Sequence, residues 1–110
     1  MYVKAATVDQ VKPGRGFGVR LNQLFIGIYN IDGEYFAMDD VCPHMGASLH
    51  HGWVDGCVVS CPLHMWEWDV KDGTCVWPGD ADLVCYPVKV EGEDILVDVD
   101  SPNDRDGADV

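Results

Sequence analysis

The sequence predicts an all-β protein, an antiparallel sandwich or small barrel, on three observations. Apolar and β-branched residues recur in short runs, Gly, Pro, Asn and Asp punctuate those runs, and no window of helical length carries a sustained 3.6-residue apolar repeat. Short strands at such spacing suit sandwiches and barrels. The expected strands are 2–8, 17–21, 24–30, 34–38, 57–60, 66–70, 83–90 and 95–99. Between them stand Pro13-Gly14, Asn22-Gln23, Asp32-Gly33, Asp55-Gly56, Asp72-Gly73 and Glu91-Gly92-Glu93-Asp94, and the Gly-containing pairs supply the positive φ that tight hairpins demand.

Two segments leave this alternation, at about 41–52 and 61–66, and are read as loops. After the last strand, residues 98–110 hold five Asp, one Arg and no aromatic residue, too little apolar surface to order a chain. Residues 101–110 are therefore expected to form an acidic, disordered tail, leaving 1–100 as one domain.

A chain of 110 residues has room for a single core, and 47% hydrophobic with 24% charged residues is an ordinary globular balance. The formal net charge is −12, from 7 basic against 19 acidic residues. Such a field repels nucleic acid and anionic lipid, and its natural complement is a basic protein surface. No apolar run reaches the roughly 18 residues of a membrane helix. The start, Met1-Tyr2-Val3-Lys4, does not lead into a charged, apolar and cleavage series, so a cytoplasmic location is expected. Five cysteines, an odd number, argue against a closed disulfide framework and for metal or redox use.

The chemistry is concentrated in Cys42-Pro43-His44, sixteen further residues, then Cys61-Pro62-Leu63-His64. Each half offers one sulfur and one nitrogen, and each Pro stiffens its loop between the two. Two metal groups use such a set. In a Rieske centre two thiolates hold one iron of a [2Fe–2S] cluster and two imidazoles hold the other, so each loop would give one ligand to each iron. Zinc also accepts Cys2His2 at these spacings, although zinc fingers usually put both Cys in one half and both His on a helix.

The residues beyond the ligands carry a resemblance. Cys42-Pro43-His44-Met45-Gly46-Ala47-Ser48-Leu49 and Cys61-Pro62-Leu63-His64, separated by Gly52-Trp53-Val54-Asp55-Gly56, resemble the cluster-binding signature of bacterial Rieske ferredoxins. The likeness extends over about residues 2–99, through the segments 27–40 and 86–99. It implies an antiparallel β core with a small cluster-binding subdomain of two loops, and one Rieske-type [2Fe–2S] cluster on Cys42, His44, Cys61 and His64. It also implies a one-electron carrier, without catalytic residues of its own, between an NAD(P)H-dependent flavin reductase and a terminal oxygenase.

Two departures bear on the potential. Ala47 and Leu63 stand where respiratory Rieske proteins have a disulfide-linked Cys pair, and Met65-Trp66 stands where those proteins place a hydroxyl donor. Fewer donors and a negative chain place the expected potential near the low end of the Rieske range, about −150 mV. For the acceptor, 64–69 (His-Met-Trp-Glu-Trp-Asp) and the stretch from Trp77-Pro78 to Tyr86-Pro87 are similar to ferredoxins of toluene- and alkene-type monooxygenases, whose hydroxylase is a di-iron protein. A ring-hydroxylating dioxygenase is the alternative acceptor. A fixed Rieske-like small subunit of a reductase and a zinc-binding interaction module are more distant readings.

Met45, Trp66, Trp77 and Pro78 are candidates for shielding the cluster or shaping the docking face. Trp53 and Trp68 are read as core or sheet packing, His50 and His51 as solvated loop residues, and Cys57, Cys75 and Cys85 as small buried hydrophobes.

Overall fold

Strand alternation accounts for the architecture once the sheets are assigned. The computed structural model describes residues 1–42, 48–62, 65–79 and 82–102. The expected tail falls outside the described residues from 103 onward. Along the chain the strands are β1 (Tyr2–Thr7), β2 (Phe17–Leu21), β3 (Leu24–Ile31), β4 (Glu34–Asp39), β5 (Trp53–Asp55), β6 (Val58–Ser60), β7 (Glu67–Asp69), β8 (Cys75–Trp77), β9 (Cys85–Tyr86), β10 (Val88–Glu91) and β11 (Asp94–Asp98). They form three antiparallel sheets, ordered β1-β11-β10, β2-β3-β4-β9 and β5-β6-β7-β8.

The middle sheet explains the long apolar run of β3. Ile26 and Ile28 face one core with Ala6, Val11, Ala37, Ile95 and Val97. Tyr29 and Ile31 face a second core with Met38, Cys42, Leu49, Cys61 and Trp68. A strand covered on both faces loses the polar half of its alternation. The turns at either end of β3 have positive φ at Asn22 and Gln23 and at Asp32 and Gly33, the primed geometry whose twist matches two-residue hairpins.

The expected antiparallel β architecture stands, and the structure adds three details to it. β5 and β8 are strands that the sequence did not reveal, because three residues are too few to display a period of two. The single strand expected over 83–90 is divided at Pro87: β9 pairs with β4, whereas β10 pairs with β11. Proline has no N–H to give a ladder, so the chain changes sheets there. Third, both candidate loops are mounted on the four-stranded sheet β5–β8 and its junction with β4. No helix among the described residues is long and apolar enough to cross a membrane.

Candidate metal centre

The first ligand segment begins where β4 ends. Asp40 N–H donates to the Phe25 carbonyl at 2.9 Å, and Leu49 N–H donates to the Asp40 carbonyl at 2.8 Å. Val41 and Ser48 form an isolated antiparallel bridge, so the two ends of the first segment meet at its foot. Leu49, fully buried, plugs the second core from a single 3-10 turn, Leu49–His51.

The second segment is closed in the same way between β6 and β7. Cys61 N–H donates to the Trp66 carbonyl at 2.7 Å, and Met65 N–H donates to the Cys61 carbonyl at 3.1 Å. Met65 takes φ 63°, a left-handed conformation that reverses the chain. Both cysteines therefore stand at loop feet, and both are fully buried in one core cluster.

Cys42 and Cys61 are thus both placed in the second core. His44, His64 and Met45 lie outside the described residues. The donor chemistry fits a Rieske cluster on its sulfur side: two buried sulfurs at the bases of two loops, each followed within three residues by an imidazole in sequence. Among the described residues no group of three or more His, Cys, Asp or Glu side chains is placed to hold a metal ion.

The neighbouring residues divide. Trp68 is fully buried, as its strand position implied, and Trp66 is half-buried against the same core, its ring 6.1 Å from that of Trp68. Trp66 therefore contributes packing, whatever it adds to shielding. Trp77 is 55% exposed and Pro78 is exposed beside it. Trp53, read as packing, is instead 59% exposed, because it lies on the outer strand of its sheet. Cys75 and Cys85 are buried, the former accepting the Gly79 N–H at 3.3 Å, while Cys57 is only half-buried.

Sequence reasoning missed the role of Asp40 and misplaced His50. Asp40 is 3% exposed, and its carboxylate takes the His50 backbone N–H at 2.8 Å on Oδ1 and lies 2.5 Å from His50 Nδ1 through Oδ2. Burial pushes the Asp40 carboxyl above the ordinary carboxylate range, and the His50 hydrogen bonds oppose that shift. The available signal was a second acidic residue, Asp40 after Asp39, at the end of an apolar strand, where solvent alone is an unusual partner. His51 remains exposed.

Fold and site together define a small β domain in which two cysteines, each followed closely in sequence by a histidine, are buried in one core. A family model described as the Rieske [2Fe-2S] domain matches residues 1–87, and the chain belongs to that family. The biphenyl dioxygenase ferredoxin subunit of Pseudomonas sp. (strain KKS102) is 41% identical over 99 residues, covering 88% of this chain and 91% of the relative. Among solved structures, Sphingomonas yanoikuyae B1 ferredoxin is 30% identical with a TM-score of 0.83, covering 89% of this chain and 98% of that one. A chain from a complex of reduced oxygenase and oxidized ferredoxin in carbazole 1,9a-dioxygenase is 28% identical with a TM-score of 0.80, over 87% of this chain and 91% of that one.

The family membership decides between the two metals that the sequence left open. The cofactor is one Rieske-type [2Fe–2S] cluster, and the chain is an electron-transfer component, not a catalyst.

Proposed function

We propose that this protein is a soluble, cytoplasmic one-electron carrier that takes electrons from a flavin-containing reductase and delivers them to the terminal oxygenase of a ring-hydroxylating dioxygenase system. The observation that carries the reading is the arrangement of the second core: two loops tied at their feet, each with a buried cysteine there, and exposed apolar side chains around them. Val41 next to Cys42, Met65 in the second loop, and Val76 and Trp77 on β8 are 40 to 55% exposed. Apolar surface of this kind, on a protein that is otherwise strongly charged, suits transient contact with a partner.

In this reading Cys42 and Cys61 would hold one iron and His44 and His64 the other. When bound, the cluster supplies a one-electron couple. The protein's own part is to keep water from the sulfur side. Cys42, Cys61, Leu49, Val59 and Trp68, all fully buried, form that dry wall, and a site closed to solvent reorganises less when its charge changes. The second part is presentation, since the exposed Val41 and Met65 beside the two loop feet leave this side open to an acceptor.

The di-iron hydroxylase expected from residues 64–69 gives way to the dioxygenase alternative. Residues 64–69 and the stretch from Trp77-Pro78 to Tyr86-Pro87 supported the former, whereas likeness to a dioxygenase ferredoxin subunit runs over 99 residues. Stopped-flow oxidation of the reduced protein, with each class of oxygenase in turn, tests the acceptor. Rapid transfer to a dioxygenase is expected; transfer only to a di-iron hydroxylase would reverse the choice.

The ligand set is tested by EPR of the dithionite-reduced protein with iron and sulfide analysis. A Rieske spectrum is expected from the parent, and its loss from His44→Ala and His64→Ala. An unchanged spectrum in either variant would remove that residue from the set.

A further inference from the structure

We propose that His50 is a positioning residue for the first ligand segment, acting through Asp40 to tie the two ends of that segment together at its base. The inference rests on the assignment of Cys42 and His44 as cluster ligands.

Asp40 precedes Cys42 by two residues, and His50 follows the loop. Backbone ties alone, Leu49 N–H to the Asp40 carbonyl and the Val41–Ser48 bridge, would form with almost any side chain at position 50. The additional tie depends on the side chain. One carboxylate spans the gap, taking the His50 backbone N–H on Oδ1 at 2.8 Å and facing Nδ1 with Oδ2 at 2.5 Å. Because the backbone N–H can only donate, the carboxylate is the acceptor there, and the consistent arrangement has Nδ1–H donating to its second oxygen. Two hydrogen bonds from one residue to both oxygens fix direction as well as distance.

The base sheet is shaped to receive this pair. A Cβ at Gly18 would collide with the His50 ring, one at Gly16 would meet the Tyr29 ring at 2.6 Å and the His50 backbone at 3.0 Å, and one at Gly27 would meet Asp40 Oδ1 at 2.9 Å. Three glycines on or beside β2 and β3 therefore form a floor without side chains under Asp40 and His50. A solvated loop histidine would need no such floor. His50 thereby joins three parts of the molecule: the base sheet beneath it, the end of β4 through Asp40, and the far end of the ligand loop. Residues behind ligands commonly change metal retention by 10- to 100-fold when removed.

The experiment uses the cluster-loaded protein and three variants, His50→Ala, His50→Asn and Gly18→Ala. Asparagine carries an N–H donor on Cγ, where the imidazole carries Nδ1, so it restores the tie without the ring. Iron release to a chelator and the EPR spectrum of the reduced protein are read for each. His50→Ala is expected to release iron at least about tenfold faster and to shift or broaden the spectrum, with His50→Asn within about twofold of the parent. Gly18→Ala, which displaces the ring, should behave like His50→Ala.

If His50→Ala matches the parent in both readouts, or if His50→Asn is as impaired as His50→Ala, positioning through Asp40 is overturned. Should His50→Ala fail to load a cluster, normal loading of His50→Asn supports the proposal and failure of both overturns it. A wrong ligand assignment would declare itself separately, as an intact Rieske spectrum in His44→Ala regardless of the His50 results.

Discussion

Cysteine chemistry in this protein is sorted by environment. Cys42 and Cys61 stand at the feet of the ligand loops, whereas Cys85 shares their core but serves as filling, with its thiol 3.8 Å from the Val70 carbonyl. Burial pushes the Cys85 thiol up to about 12, and the negative charges of Asp72, Asp39 and Asp69 add to the effect. A folded state that holds this proton more tightly than the unfolded chain gains stability that is complete below the ordinary thiol value near 9.0 and is lost as pH rises toward 12. Cys85 is accordingly expected to escape alkylation in the native, cluster-loaded protein at pH 8.5. Peptide mapping after iodoacetamide treatment checks this, and substantial modification of Cys85 without unfolding would contradict it. The Cys42-His44 and Cys61-His64 pairs were legible in sequence because each spacing is local. The Asp40–His50 pair was not, since it joins residues ten apart across a loop and depends on glycines from two other strands.

Among the elements, the cluster-bearing sheet shows how backbone space is allocated. Gly52 connects the 3-10 turn to β5, and its φ of −81° is ordinary, so conformational freedom is not what this position requires. Space is: a Cβ there would run into the Ser60 carbonyl oxygen and approach that of Leu49. Gly52→Ala should therefore push β5 away from β6 and lower the unfolding free energy by about 1–3 kcal/mol. Denaturant titration of the variant measures it, and a midpoint equal to the parent's would show that the strand pair yields without cost. A different join is made by Tyr86 on β9, whose hydroxyl donates to Asp39 on β4 at 2.8 Å. The strands that sequence reasoning located, β1 to β4, β6, β7 and β11, have clear alternation or flanking turns, while three-residue β5 and β8 are set by their partners and carry no pattern of their own.

For the molecule as a whole, charge and surface act together. In the proposed function a formal net charge of −12 would favour basic patches on the partners, and the exposed Val41, Met65, Val76 and Trp77 would complete the contact at short range. Bimolecular electron transfer should then slow by about tenfold or more as ionic strength rises from low salt to ~0.5 M. Stopped-flow rates across that range test the steering, and a rate indifferent to salt would remove it.

The sequence by itself determined the all-β class and the paired Cys-His segments, and narrowed the metal group to two, because each depends on residue types at short separations along the chain. Tertiary structure decided how many sheets there are, that β9 and β10 part at Pro87, that Trp53 is exposed and that His50 is bound to Asp40. Those outcomes depend on which surfaces meet after the chain has folded back on itself. A three-residue strand, or a histidine whose partner is a buried carboxylate on another segment, acquires its role only from neighbours distant in sequence.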